Sequence, residues 1–425
     1  MLLLLVLFFV LLYLGTPLFV VLGASVSVLI VAEGHMSLTL VAQKMIDELN
    51  NDLLMSLPFF GMAAVFMQRG GVAKSLVDLA IGLIGWMRGG LGLVAVAACT
   101  MFATISGSSV TTALAMGVLL LPSMLAKGYG RPFSTGLLGA GGTLGILIPP
   151  SLPLILYAIL AEESVPRLFL AAVIPGLMQA LLLAIYVIVM ARVRNLPAEP
   201  RQSAGEIGVL ALRAAPALLV PIVIAVGIYG GLLTITDSAV AAAFVSLILS
   251  IFVYRGVKLR ETISVIGESI YSVSAIILII MTAMVFGHWV TESGVPARLV
   301  EWTSSLNLQP WQFIVIVMLI LIVLGTILEI ASILLITTPI LIPLLGAYDI
   351  SPIHFGILMA INMEIAAITP PVGLNLYVLA AISKGTTSEV NAGIWPFVVL
   401  MLGLLLLVAF IPGLTLWLPE MVYGP

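Results

Sequence analysis

The sequence predicts an all-α polytopic membrane protein made of two inverted repeats, each with a re-entrant hairpin and a broken helix. Three observations lead there. Of 425 residues, 62% are apolar and 8% charged, against roughly 25% charged in an ordinary soluble domain. Apolar runs of 18 to 30 residues recur from end to end, long enough for helices to cross a bilayer. Two proline landmarks also recur with one common spacing of 221 residues. So little charge cannot coat a water-soluble surface of this size, which excludes a soluble enzyme. A net charge of −3 with no basic tract excludes a nucleic-acid binder. Cys99 is alone, so neither a disulfide framework nor a thiolate metal site is available.

The elements follow in order. Residues 1–32 carry no charge and run too long for a secretory signal. They read as retained membrane helix, kinked at Gly15 and Pro17, crossing once at a tilt or as two short pieces. With the following residues they form an N-terminal scaffold over 1–52. Arg192, Arg194, Arg201 and Arg213 mark one cytoplasmic connector, and Arg255, Lys258 and Arg260 another. The stretch 214–254 between them fits two crossings, broken outside at Gly230-Gly231, with Asp237 capping the second. These connecting scaffold helices occupy 192–261.

Residues 53–191 form the first repeat. Its amphipathic stretch Gly71–Trp86 lies at an interface. Residues 91–126 are apolar, yet Arg88 stands before them and Lys127 and Arg131 after. A segment that enters and leaves on one side is a hairpin, with its tip at Ser106-Gly107-Ser108-Ser109. A broken helix follows over 132–161, then one crossing to 191.

The second repeat, 262–425, has the same parts. Pro122 and Pro149-Pro150 are matched by Pro343 and Pro370-Pro371, and Gly71–Asp78 resembles Gly294–Glu301 at a spacing of 223. Its interfacial arm is Gly294–Ser305, its hairpin 311–347 and its broken helix 354–383, before a final helix. Counting one crossing on from Arg260 puts this hairpin outside. The repeats are therefore inverted, as in many secondary transporters.

Four breaks in apolar segments carry the chemistry. They are Thr104–Ser109 and Gly142–Ser151 in the first half, and Gly325–Ser332 and Ala366–Asn375 in the second. A double proline removes two amide donors and leaves upstream carbonyls without partners. Freed carbonyls and hydroxyls are uncharged oxygen ligands suited to Na⁺ at membrane depth. Helix N-termini at the same breaks present partial positive charge to an anion. One hairpin tip facing one proline break gives one ion site per half. Taken singly, each break also reads as small-residue packing or a structural kink; the matched placement of all four favours the ion sites.

Glu329 lies in the second hairpin tip and suits binding of ions or substrate. Both carboxylates at depth need a partner or water, and Glu364, a turn or two before Pro370, suits binding or equally the capping of loose backbone amides. His288, beside Trp289, reads as interfacial. No nucleotide-binding loop is present, which argues against ATP-driven transport. No His lies at membrane depth near the serines and no Lys is buried, which argues against an intramembrane hydrolase.

The motifs Ile105-Ser106-Gly107-Ser108-Ser109, Gly145–Ser151 and Ile368–Asn375, with the Leu57-Pro58-Phe59 entry, resemble the large membrane subunit of TRAP (tripartite ATP-independent periplasmic) transporters of the ion transporter superfamily. The resemblance spans essentially the whole chain. It implies an elevator-type secondary importer in a bacterial or archaeal cytoplasmic (inner) membrane. Transporters of this kind import organic acids such as sialic acid or C4-dicarboxylates, driven by a Na⁺ gradient, and the resemblance implies the same here. Its partners are a small four-helix membrane subunit, here expected as a separate chain, and a periplasmic substrate-binding protein.

Carried over by motif, one Na⁺ site uses Ser106, Ser108, Gly145, Ile148 and Pro150. The other uses Gly325, Thr326, Ala366, Thr369 and Pro371. Substrate lies near Ser108, Ser109, Ser151, Glu329 and Asn375. The family commonly carries Asp where this chain has Glu329. No arginine stands near the tips, so an anionic substrate depends on hydroxyls, helix N-termini and the bound cations. The competing readings are a stand-alone dicarboxylate transporter of the same superfamily, proton coupling through Glu329 and Glu364, and a channel.

Overall fold

The computed structural model describes residues 7–8, 10–11, 13–33, 38–50, 52–326, 328–370 and 373–424. Among these, every regular element is helical. Seven helices are long and apolar enough to cross a membrane, or up to nine if each bent pair counts as one span.

The scaffold begins with α1 (Leu18–Glu33), which starts just after the break at Gly15 and Pro17, and α2 (Leu38–Leu49). α3 (Asp52–Arg69) bends by 62° into α4 (Val72–Ile84), the first arm. The first hairpin is α5 (Gly90–Ser106) and α6 (Ser109–Ala126). Its 17-residue first leg is about 26 Å long at 1.5 Å per residue, short of a bilayer core of roughly 30 Å. The broken helix is α7 (Arg131–Leu147) and α8 (Leu152–Ala161), bent by 40°. α9 (Val165–Val193) closes the first half.

Two scaffold helices connect the halves: α10 (Ala204–Tyr229), and α11 (Ile235–Ile248) with a π-helical turn at its end. Thr234, not Asp237, is the cap of α11; Asp237 completes the capping box, its carboxylate accepting from the Thr234 hydroxyl at 2.7 Å. The second half comprises α12 (Thr262–Glu292), the arm α13 (Val295–Ser305), and the hairpin α14 (Pro310–Gly325) and α15 (Ile330–Ala347). The broken helix α16 (Pro352–Ala367) and α17 (Leu374–Ser383), then α18 (Thr387–Phe410) and α19 (Gly413–Tyr423), complete it.

The internal repeat is visible in the helix starts. Ser109 and Ile330 stand 221 residues apart, as do Arg131 and Pro352; Leu152 and Leu374, and Val165 and Thr387, stand 222 apart. Packing gathers the helices into two groups that also touch, α3 and α4 on α5 and α12 on α15. α1, α2 and α3 lie against α12, while α3 also packs on α11, and α10 on α4 and α11. The other group centres on α7, which touches α5, α6, α16, α17 and α18. Within it the halves interlock. The second leg of each hairpin packs against the short half of the other repeat's broken helix, α6 on α17 and α15 on α8.

Candidate functional site: two hairpin tips on two helix breaks

The first hairpin turns at Gly107, whose φ of +56° is the left-handed conformation that glycine adopts without a Cβ penalty. Ser108 then caps α6. The tip sits directly on the proline break, where Leu152 N–H donates to the Gly107 carbonyl at 3.3 Å. Close contact continues at Gly145, where a Cβ would lie 2.5 Å from the Ser108 carbonyl oxygen. No side chain larger than hydrogen fits that position without displacing backbone.

Oxygen atoms cluster at this junction. The Ser106 and Thr112 hydroxyls are 2.6 Å apart, and Thr112 donates to the Ser108 carbonyl at 2.8 Å. A residue at 149 would normally donate to the Gly145 carbonyl, but Pro149 has no N–H. Pro150 likewise frees the Ile146 carbonyl, which the Ser151 hydroxyl takes instead. Ile148 and Pro150 lie in the same break. Hydroxyls and an unpartnered carbonyl, without a carboxylate, are a donor set that suits a hard monovalent cation. Thr112 was not singled out from the sequence; its position one turn after Ser108, on the same helix face, was the available signal.

The second junction is built from matching parts. Gly325 ends α14 against Ala366, where a Cβ on Gly325 would lie 2.4 Å from the Ala366 side chain. The Thr326 hydroxyl donates to the Val323 carbonyl at 2.8 Å. Thr369 N–H donates to the Ala366 carbonyl at 3.1 Å, and the Thr369 hydroxyl to Ile365 at 2.6 Å. Pro371 lies outside the described residues.

Both tips open on one cavity of about 170 Å³. Its walls include Ser108, Ser109 and Glu329 from the tips, and Leu57, Val273 and Ile276 from scaffold helices α3 and α12. First-turn residues of four helices line it: Val110 of α6, Pro153 of α8, Ala331 of α15 and Leu374 of α17. Their N-termini bring the partial positive charge of four helix ends to one place. Glu329 precedes α15, and its Oε1 accepts from the Ser332 hydroxyl at 3.2 Å.

Two residues expected at the substrate stand behind the cavity wall. Ser151 is fully buried and accepts from Leu154 N–H as the cap of α8. Asn375, also fully buried, donates to the Ser109 hydroxyl at 2.6 Å and to the Gly139 carbonyl at 3.2 Å. Glu364 is buried within α16 and caps no backbone amide; the Gln179 side chain of α9 lies beside it, itself donating to the Thr143 hydroxyl at 3.0 Å. His288 lies away from both tips, 3.4 Å from Glu292. Among the described residues no group of three or more His, Cys, Asp or Glu side chains could hold a metal ion.

The family model for the tripartite ATP-independent periplasmic transporter, DctM component, matches residues 5–414. The chain belongs to this family. It is a multi-pass membrane transporter component. This TRAP large subunit is similar to the C4-dicarboxylate TRAP transporter large permease DctM of Pseudomonas aeruginosa, 39% identical over 399 residues, covering 94% of this chain and 93% of the relative. The corresponding permease of Vibrio cholerae is 37% identical over 432 residues, covering 97% and 95%. Among solved structures, the Alcanivorax borkumensis YdaH transporter shares the fold at a TM-score of 0.62 and 16% identity, covering 86% of this chain and 85% of that one.

Proposed function

We propose that this TRAP large subunit imports an organic acid by Na⁺ symport, with a C4-dicarboxylate as the first candidate and sialic acid as the second. The observation that carries the reading is the convergence of four helix N-termini and two serine hydroxyls on one cavity between the hairpin tips. Such a site binds carboxylate without a fixed cation nearby. The two C4-dicarboxylate permease relatives support the substrate class.

One Na⁺ sits at each junction. The Ser106, Thr112, Ser108 and Gly145 oxygens hold one, and the Gly325–Ala366 junction with Thr326 and Thr369 holds the other. Each ion's charge lies beside a hairpin tip that also lines the substrate cavity. Bound cation and bound carboxylate therefore stabilise one another, which is thermodynamic coupling and is reciprocal. The interlocked hairpins and broken helices move together against the scaffold, whose Leu57, Val273 and Ile276 form the apolar wall they slide along. A periplasmic binding protein delivers the substrate, and a small membrane subunit completes the complex in the cytoplasmic membrane.

The test is reconstitution of the chain with its small membrane subunit and binding protein in proteoliposomes, measuring labelled succinate and N-acetylneuraminate uptake. An inward Na⁺ gradient drives uptake in this account, and Glu329→Gln retains Na⁺-driven uptake. Uptake driven by a pH gradient without Na⁺, and abolished by Glu329→Gln, would replace it with proton coupling. Uptake by the chain alone would identify a stand-alone transporter, and conduction without saturable uptake a channel.

A further inference from the structure

Asn375 does not line the cavity, yet its bonds decide what Ser109 can do there. The orientation of the amide is fixed by chemistry. Gly139 offers a carbonyl, which can only accept, so the –NH₂ end of Asn375 faces it at 3.2 Å. The second amide hydrogen goes to the Ser109 oxygen at 2.6 Å. Ser109 is thereby an acceptor towards Asn375, and its own hydrogen is left over. Among the described residues no acceptor takes it, and Ser109 forms part of the cavity wall. A hydroxyl held in this way presents a donor to the cavity and is polarised by the bond it accepts.

We infer that Asn375 is a positioning residue for substrate recognition: it orients the Ser109 hydroxyl as a hydrogen-bond donor to the carboxylate of the transported anion. The inference rests on the organic-acid reading above. It also assigns the work across the pseudo-symmetric core. Asn375 belongs to the second repeat, while Ser109 and Gly139 belong to the first. A contact between the halves thus sets the chemistry of one wall of the site.

The experiment is a double-mutant cycle on Na⁺-driven succinate uptake by the full complex. Ser109→Ala removes the donor and raises KM about ten-fold or more, the loss expected for a hydrogen bond to a charged group. Asn375→Ala raises KM by a similar factor, while the maximal rate and the Na⁺ concentration for half-activation stay near wild type. The double variant is no worse than Ser109→Ala alone, because the amide acts only through that hydroxyl. Asn375→Asp preserves the size of the side chain and raises KM as well, since it has at most one donor for two acceptors. It carries the test if the alanine variant does not fold. An unchanged KM in both Asn375 variants, or a double variant whose KM rises by the product of the single effects, overturns the inference. Failure of the wild-type complex to take up either acid defeats the organic-acid reading instead, and the two failures are distinguishable.

Discussion

A methyl group on Gly145 would be driven to within 2.5 Å of the Ser108 carbonyl oxygen, one of the atoms placed at the first cation site. The tip would have to lift off the break. Gly145→Ala is expected to lose about 1–3 kcal/mol of stability, as overpacked sites do, and to raise the Na⁺ concentration for half-maximal uptake about ten-fold or more. Thermal unfolding and Na⁺ titration of uptake read the two effects separately. Ser106→Ala removes a hydroxyl and its bond to Thr112 without overpacking, so it shifts the Na⁺ dependence at a stability loss of only about 0.5–1.5 kcal/mol. An unchanged Na⁺ dependence in Ser106→Ala would remove that hydroxyl from the site. At this scale the sequence was partly legible. Ser106, Ser108, Ser109 and Glu329 could be placed at the tips because each stands beside a helix break. That Ser151 and Asn375 stand behind the wall depends on side-chain direction at α8 and α17, which residue spacing does not encode.

Helix breaks, not individual side chains, expose the carbonyls. Pro149 withholds the amide that would satisfy Gly145, so Pro149→Ala offers a donor to that carbonyl and extends α7 by one bond. The expected outcome is a raised Na⁺ requirement of about ten-fold, without loss of helical stability, because a proline has been removed from a helix end. Equal Na⁺ dependence in Pro149→Ala and wild type would show that the freed carbonyl is not a ligand. A second device at this scale is the connector before α10. Gly89 N–H donates to Pro197 at 3.2 Å, Glu199 N–H donates to Gly85 at 3.0 Å, and Glu199 pairs with Lys127 beyond the first hairpin. The connector thus ties the end of the arm to the end of the first hairpin. Lys127 is partly exposed, so Lys127→Met costs less than about 1 kcal/mol. Tyr129→Phe removes the acceptor of the buried Leu91 N–H and costs about 1–3 kcal/mol by thermal unfolding. Element boundaries were the most legible part of the sequence: flanking basic residues marked the first hairpin, and recurring prolines and glycines marked its counterpart and both breaks.

The whole molecule is two copies of one plan joined by two scaffold helices. The repeat announced itself in proline spacing, and the helix starts of the second hairpin legs and both halves of the broken helices reproduce that spacing to within one residue. The interlock of α6 with α17 and of α15 with α8 was not legible, because each contact joins segments more than two hundred residues apart and leaves no periodic trace. Inversion of the halves predicts sidedness. A cysteine at Gly128, after the first hairpin, should react with an impermeant thiol reagent from the cytoplasm, and one at Asp349, after the second, from outside. Cys99 is buried and gives no background. Labelling of both from one side would make the repeats parallel. Scarcity of charge, first read as a mark of membrane residence, has a functional counterpart: the cavity walls carry Glu329 and no basic residue among the described lining. In the Na⁺ symport proposed above, the bound cations would supply the positive charge the chain omits.

One Na⁺ per half is the centre of this account, and Na⁺ titration of succinate uptake by the reconstituted complex tests it most directly. Wild type should respond with a Hill coefficient approaching two, the number of coupled sites. Ser106→Ala in the first half and Thr369→Ala in the second should each lower it towards one. A wild-type coefficient of one, unaltered by either substitution, would contradict it.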